Sequence, residues 1–165
     1  MSFQLPKESR EYFKYLLKRS DGGACFSTLF DLYYFCLMLG FLRNTLGKEV
    51  DLESDKFVEK YTSDYQNQAD IIAGLLISAE LSRKGIEKDD RSSIEREMLR
   101  LLDHQSPSRL SEEGIKLLNL YAVEGFRAIR EEVAPPQSLE EFLVLYYRIW
   151  SPPGESTDAK QPLET

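Results

Sequence analysis

The sequence predicts an all-α fold: a compact bundle of about six helices around one central apolar helix, residues 26–46. Three observations carry that expectation. The stretch FSTLFDLYYFCLMLGFLRNTL has no charge between Asp31 and Arg43, so a helix there is apolar nearly all round and must be covered on most sides. Apolar residues recur at helical spacing along much of the remaining chain. No alternating run bounded by turn residues reads as a β-strand.

At 165 residues, 42% of them hydrophobic and 12% aromatic, the chain fits a single folded domain with a proper core. We place that domain at 1–150 and expect the Pro- and Gly-rich segment 151–165 to be a disordered tail. The net charge of −7 argues against direct nucleic-acid binding, since phosphate neutralisation needs surplus Lys and Arg. It suits a soluble protein, a basic protein partner, or an acidic mimic of DNA. The apolar run is shorter than the roughly 20 residues a bilayer span requires, so no membrane segment is expected. The first residues, MSFQLPKESR, lack the apolar core of a secretory signal, and cytoplasmic localisation is the expectation. Cys25 and Cys36 then read as reduced thiols buried in or beside the central helix.

Taken in order, Pro6 to Arg19 reads as a short amphipathic helix with Tyr12, Phe13, Leu16 and Leu17 inside. Ser20 to Gly23 is a turn. In the central helix Ser27 or Thr28 supplies the N-cap and Asp31 the first-turn carboxylate, while Asn44 and Gly47 give the stop. Gly40, in mid-helix, marks the close approach of a second backbone. The segment from Lys48 to Lys56 is acidic and expected to be irregular, and Phe57 to Tyr65 a short helical or irregular piece.

Asp70 to Lys84 is a helix with Ile71, Ile72, Leu75, Leu76 and Ala79 as its inner face. Ser92 to Glu95 forms a capping box for a helix that presents Ile94, Met98, Leu101 and Leu102 inward and ends near Asp103 and His104. Ser111 caps a longer helix to about Glu132, with Leu118, Tyr121, Ala122, Gly125, Phe126 and Ile129 inside, and Pro135-Pro136 closes it. Ser138 to Glu141 is a second capping box. The helix it opens, Leu139 to Trp150, buries Phe142, Leu143, Tyr146 and either Ile149 or Trp150.

The pattern names no catalytic constellation and calls for no metal or cofactor. His104 is the sole histidine, which leaves a His-based metal site or a hydrolase triad little to work with. Arg100 precedes it by four positions, which invites comparison with the Arg-x4–6-His motif of the helical HEPN ribonucleases; only three residues intervene here, and the residue after the Arg is apolar Leu101. Asp51, Glu53 and Asp55 cluster near Lys56, yet a metal-dependent nuclease of the restriction type needs an Asp and a Glu-x-Lys on adjacent strands. A nuclease using Arg100 and His104, or that acidic cluster, is therefore the alternative reading. Arg127, Arg130 and Arg148 are candidates for a small basic patch beside Glu131 and Glu132.

The run from Phe26 to Asp31, the aromatic-apolar stretch ending at Leu39-Gly40-Phe41, and the later Tyr121-Ala-x-x-Gly125-Phe126-x-x-Ile129 resemble small accessory proteins encoded beside bacterial DNA phosphorothioation (Dnd-type) modification and restriction systems. The resemblance implies a non-enzymatic helper in a DNA-modification or phage-defence complex, with no catalytic residues to carry over. The leading expectation is thus an interaction module whose partner is another protein. A second copy of the chain, giving a homodimer, is a further candidate partner.

Overall fold

The computed structural model describes residues 2–19 and 21–151. The expected tail from 152 onward lies outside them. In chain order the elements are β1 (Phe3–Pro6), α1 (Ser9–Tyr12), α2 (Lys14–Leu17), α3 (Leu29–Arg43), a 3-10 turn (Glu49–Asp51), β2 (Leu52–Val58), a 3-10 helix (Ser63–Gln68), α4 (Ala69–Arg83), α5 (Arg91–Leu101), α6 (Glu112–Glu132) and α7 (Leu139–Trp150). The protein is mostly helical, as expected, but not strictly all-α.

The correction lies in β1 and β2, which pair antiparallel with Phe3 opposite Val58, Gln4 opposite Lys56 and Pro6 opposite Leu52, the register slipping twice. The expected helix from Pro6 to Arg19 is accordingly shorter and broken at Phe13 into α1 and α2. Phe3 and Leu5 of β1 are wholly buried, while the middle of β2 is exposed. One strand is thus inserted into the core and the other covers its edge.

The centre of the molecule is the crossing of α3 and α6. Gly40 and Gly125 allow it. A Cβ on Gly40 would sit 1.9 Å from the Tyr121 carbonyl oxygen, and one on Gly125 would sit 1.6 Å from the Cys36 carbonyl oxygen. The two backbones therefore meet with nothing between them, which confirms the expected role of Gly40. α6 is also more enclosed than its amphipathic pattern suggests: besides the anticipated inner face, Leu117, Asn119, Leu120, Val123 and Glu124 are buried. Two helices, not one, form the centre.

Local signals explain the helix ends. The Thr28 N–H donates to the Asp31 carboxylate at 2.8 Å, and Asn44 closes α3 in the left-handed region at φ 52°. Ser111 and Ser138 accept from the N–H groups of Gly114 and Glu141, capping α6 and α7 as expected. α5 starts slightly earlier than the Ser92 box implies, because the Asp90 carboxylate accepts the Ser93 N–H at 3.1 Å. An aromatic cluster joins the outer elements to the crossing: Phe142 of α7 meets Phe13, Phe26 and Phe35, and Phe3 meets Phe30, Tyr33 and Tyr61.

The crossing yields a paired test. Gly125→Ala drives a methyl group into a backbone that cannot move aside, and we expect a loss of about 3 kcal/mol or more in urea denaturation. Gly74→Ala in α4, where an added Cβ meets nothing within 4 Å, gains up to about 1 kcal/mol from helix propensity. Equal responses at the two sites would contradict the role of the crossing.

Candidate functional site

The densest polar constellation joins α4, α5 and α6. Glu80 is completely buried and accepts four hydrogen bonds: from the Tyr121 hydroxyl at 2.8 Å, from Arg83 Nε and Nη2 at 2.8 Å each, and from Arg100 Nη2 at 3.1 Å. Glu97, also buried, accepts from Lys84 Nζ at 2.7 Å and from Arg100 Nη2 at 2.7 Å. Arg100 reaches Glu113 as well. The spacing that builds this is ordinary: Glu80 and Arg83, and Glu97 and Arg100, are i,i+3 neighbours on their helices. What sequence reasoning missed is that two such pairs face each other across a helix junction.

The same hydrogen bonds set the electrostatics of the two carboxylates. Burial alone would raise the Glu80 pKa, but the hydrogen bonds from Arg83, Tyr121 and Arg100 outweigh it and hold the carboxyl below its usual range. Glu97 behaves likewise through Lys84 and Arg100. Burial and the Glu80 carboxylate push the Tyr121 hydroxyl far above its ordinary value, so it stays a donor.

Arg100 and His104, the two residues named as alternative catalytic groups, are not brought onto one helical face. α5 stops at Leu101 and Leu102 is extended, so the stacking of i and i+4 side chains does not form. Arg100 is drawn inward to three carboxylates. His104 is exposed in the following turn and lines a shallow depression with Lys60, Gln66 and Arg109. Its backbone carbonyl, not its ring, takes a hydrogen bond from Arg109 at 3.1 Å.

The acidic cluster is ordered rather than irregular. Asp51 ends the 3-10 turn, and Glu53, Asp55 and Lys56 lie in β2. Glu53 is taken by Arg10, with both carboxylate oxygens 3.0 Å from Nε. Among the described residues no three His, Cys, Asp or Glu side chains gather in a way that would hold a metal ion. Arg127 and Arg130 face an open cleft of about 470 Å³ beside Lys7 and Phe126, but Arg127 pairs with Glu124 and Glu131, and Arg130 with Glu8. The basic patch is internally neutralised, and Arg148 stands apart on α7. Cys36 is fully buried and its thiol pKa is raised by burial, whereas Cys25 is partly exposed; both are free.

A second buried polar residue positions the N-terminal strand. Asn119 of α6 accepts from the Tyr33 hydroxyl at 2.9 Å and from the Gln4 N–H at 3.2 Å, and donates to the Ser2 carbonyl at 3.2 Å. Nothing in the periodicity of α6 distinguishes Asn119 from a solvent-facing residue.

The outer surface departs most from expectation. Ile71 and Leu75, assigned to the inner face of α4, are 56% and 37% exposed; the buried face is instead Ile72, Ala73, Leu76, Ala79 and Glu80. Leu143, expected inside α7, is 41% exposed; of the two candidates at the helix end Ile149 packs against the core, and Trp150 is 41% exposed. Met98 of α5 also faces outward, its place inside taken by Glu97. No helix among the described residues is long and apolar enough to cross a membrane, so these faces are not parts of a span.

The ion network has a measurable signature. Glu80→Ala leaves Arg83, Arg100 and Tyr121 without their shared acceptor and costs about 3 kcal/mol, the low end for a buried pair because both arginines keep some water. With the folded pKa of Glu80 and Glu97 depressed, their stabilisation is complete above the ordinary value of 4.5 and fades as pH falls below it. Urea melts at neutral and acidic pH therefore diverge less for the variant than for the natural protein.

Comparison of the chain with protein-family models, with curated proteins and with solved structures finds no match.

Proposed function

We propose that the protein is a non-enzymatic accessory module that binds another protein, in a bacterial DNA-modification or phage-defence assembly of the Dnd type. The assembly is the one implied by the resemblance at Phe26–Asp31, Leu39–Phe41 and Tyr121–Ile129. The observation that carries the interaction reading is the outward face of α4. A glycine inside a helix costs about 1 kcal/mol against alanine. At Gly40 and Gly125 a second backbone fills the space, whereas at Gly74 no other described element lies within 4 Å of where a Cβ would sit. Gly74 is flanked by the exposed side chains of Ile71 and Leu75 and followed one turn on by exposed Ser78. That makes a small notch between two aliphatic side chains, the shape that admits a partner's backbone or side chain at close range.

The chemistry of the rest of the molecule supports the same reading. Its buried Glu80 and Tyr121 are hydrogen-bonded to each other, and its arginines on α6 are paired. Exposed apolar side chains on α4 and α7 are left over for an outside molecule.

The test is affinity purification of the tagged protein from its native cell, with mass spectrometry of what is recovered. DNA-modification or defence proteins in fixed ratio are expected. Ile71→Asp combined with Leu75→Asp, both on exposed positions, leaves the melting temperature within a few degrees and abolishes that recovery. Recovery of the protein alone, or recovery indifferent to the double substitution, overturns the assignment.

A further inference from the structure

We propose that α7 pairs with α7 of a second copy, antiparallel about a two-fold axis that passes beside Val144. The α4 notch is left free by this pairing, so the proposal adds to the interaction reading and does not depend on it. Two observations point to it.

The first is the apolar stripe on the outer side of α7. Phe142 and Tyr146 face inward, Phe142 against the aromatic cluster and Tyr146 donating to the Phe35 carbonyl at 2.8 Å. Beside them Leu143 and Trp150 are each 41% exposed, and farther round Val144 and Tyr147 are 54 and 72% exposed. A tyrosine and a tryptophan side by side on an aliphatic stripe are the residues most enriched at protein interfaces.

The second is the charge along one flank of that stripe. Glu140, Val144 and Arg148 fall at i, i+4 and i+8, one row of the helix surface. Neither Glu140 nor Arg148 forms an ion pair among the described residues. In an antiparallel helix pair related by a two-fold, each flank meets the same flank of its partner. Centred on Val144, that geometry sets Glu140 of each copy against Arg148 of the other and Val144 against Val144. The row is complementary to itself in this direction only. A parallel pairing would set Glu140 against Glu140 and Arg148 against Arg148. The antiparallel arrangement also places the positive N-terminal end of each helix beside the negative C-terminal end of its neighbour. One helix per copy makes a small interface, so the dimer is weak and concentration-dependent.

Sedimentation velocity on the purified chain over a wide concentration range tests this, with native mass spectrometry of mixtures. The natural protein is expected to shift from monomer to dimer as concentration rises. Glu140→Arg and Arg148→Glu, each on an exposed position, separately lower the association constant roughly tenfold, because the two-fold turns each change into two repulsive contacts. Mixing the two variants restores association as a heterodimer, in which every repulsive contact becomes attractive. Tyr147→Asp abolishes association while leaving the circular dichroism spectrum unchanged. A monomer at every concentration, a dimer indifferent to these substitutions, or a mixture no tighter than its components would each overturn the proposal. None of those results bears on recovery of a different protein through α4.

Discussion

The structure depends on two backbones touching. Where α3 crosses α6, the Tyr121 carbonyl fills the space that a Gly40 side chain would take, and the Cys36 carbonyl does the same at Gly125. Such contact brings the helices closer than the spacing ordinary side chains impose, and it lets the larger residues flanking the crossing interlock. The Tyr33 hydroxyl then reaches Asn119, and Asn119 in turn holds Gln4 and Ser2. The first strand is thus placed by a helix crossing far from it in sequence. β2 follows, because β1 is the edge it pairs with. Gly47 extends the same logic, its N–H donating to the Leu120 carbonyl at 2.9 Å so that the chain leaves α3 along the flank of α6.

α5 is attached by other means. Leu101 is its one buried apolar residue and Ile94 is half-buried, so little hydrophobic area holds it. Glu97, Arg100 and Lys84 supply the connection, and through Arg100 they share Glu80 with α4 and α6. A buried ionic junction of this kind adds less stability than an apolar one of equal volume, but it tolerates only one register, since each carboxylate must find its cation. The same requirement explains why Arg100 serves structure. Released from Glu80 and Glu97, it would leave Glu80 to Arg83 and Tyr121 and Glu97 to Lys84, and the link between α4 and α5 through a shared cation would be lost.

Much of this was legible in the chain. The α3 apolar run, the stops at Asn44 and Pro135, the serine caps at 111 and 138 and the meaning of Gly40 follow from local rules that operate within a turn of helix. The strands were not legible, for physical reasons. β1 is four residues long and ends in proline, and β2, LESDKFV, carries charges on both faces because only its ends touch the core. Asn119 and Glu80 escaped notice because what makes a polar residue buried is its distant partner, and periodicity reports only the near neighbours.

The errors on α4 and α7 have a common form. Ile71, Leu75 and Leu143 are apolar residues at helical spacing, and pattern alone assigns them to the core. The core has no room for them: Ile72, Leu76 and Ala79 already occupy the inner side of α4, and Phe142 and Tyr146 that of α7. Helices with two apolar faces and one core exceed what folding of the single chain requires. Large exposed apolar side chains grouped on a helix are a solubility cost with no return inside the molecule. When local pattern and global packing disagree in that way, the disagreement tends to fall where another molecule binds. On α4 the surplus face surrounds a bare glycine; on α7 it runs beside a charge row that is its own complement. The two proposed pairings answer to these two faces, a closely approaching partner on α4 and a copy of the same helix turned end for end on α7.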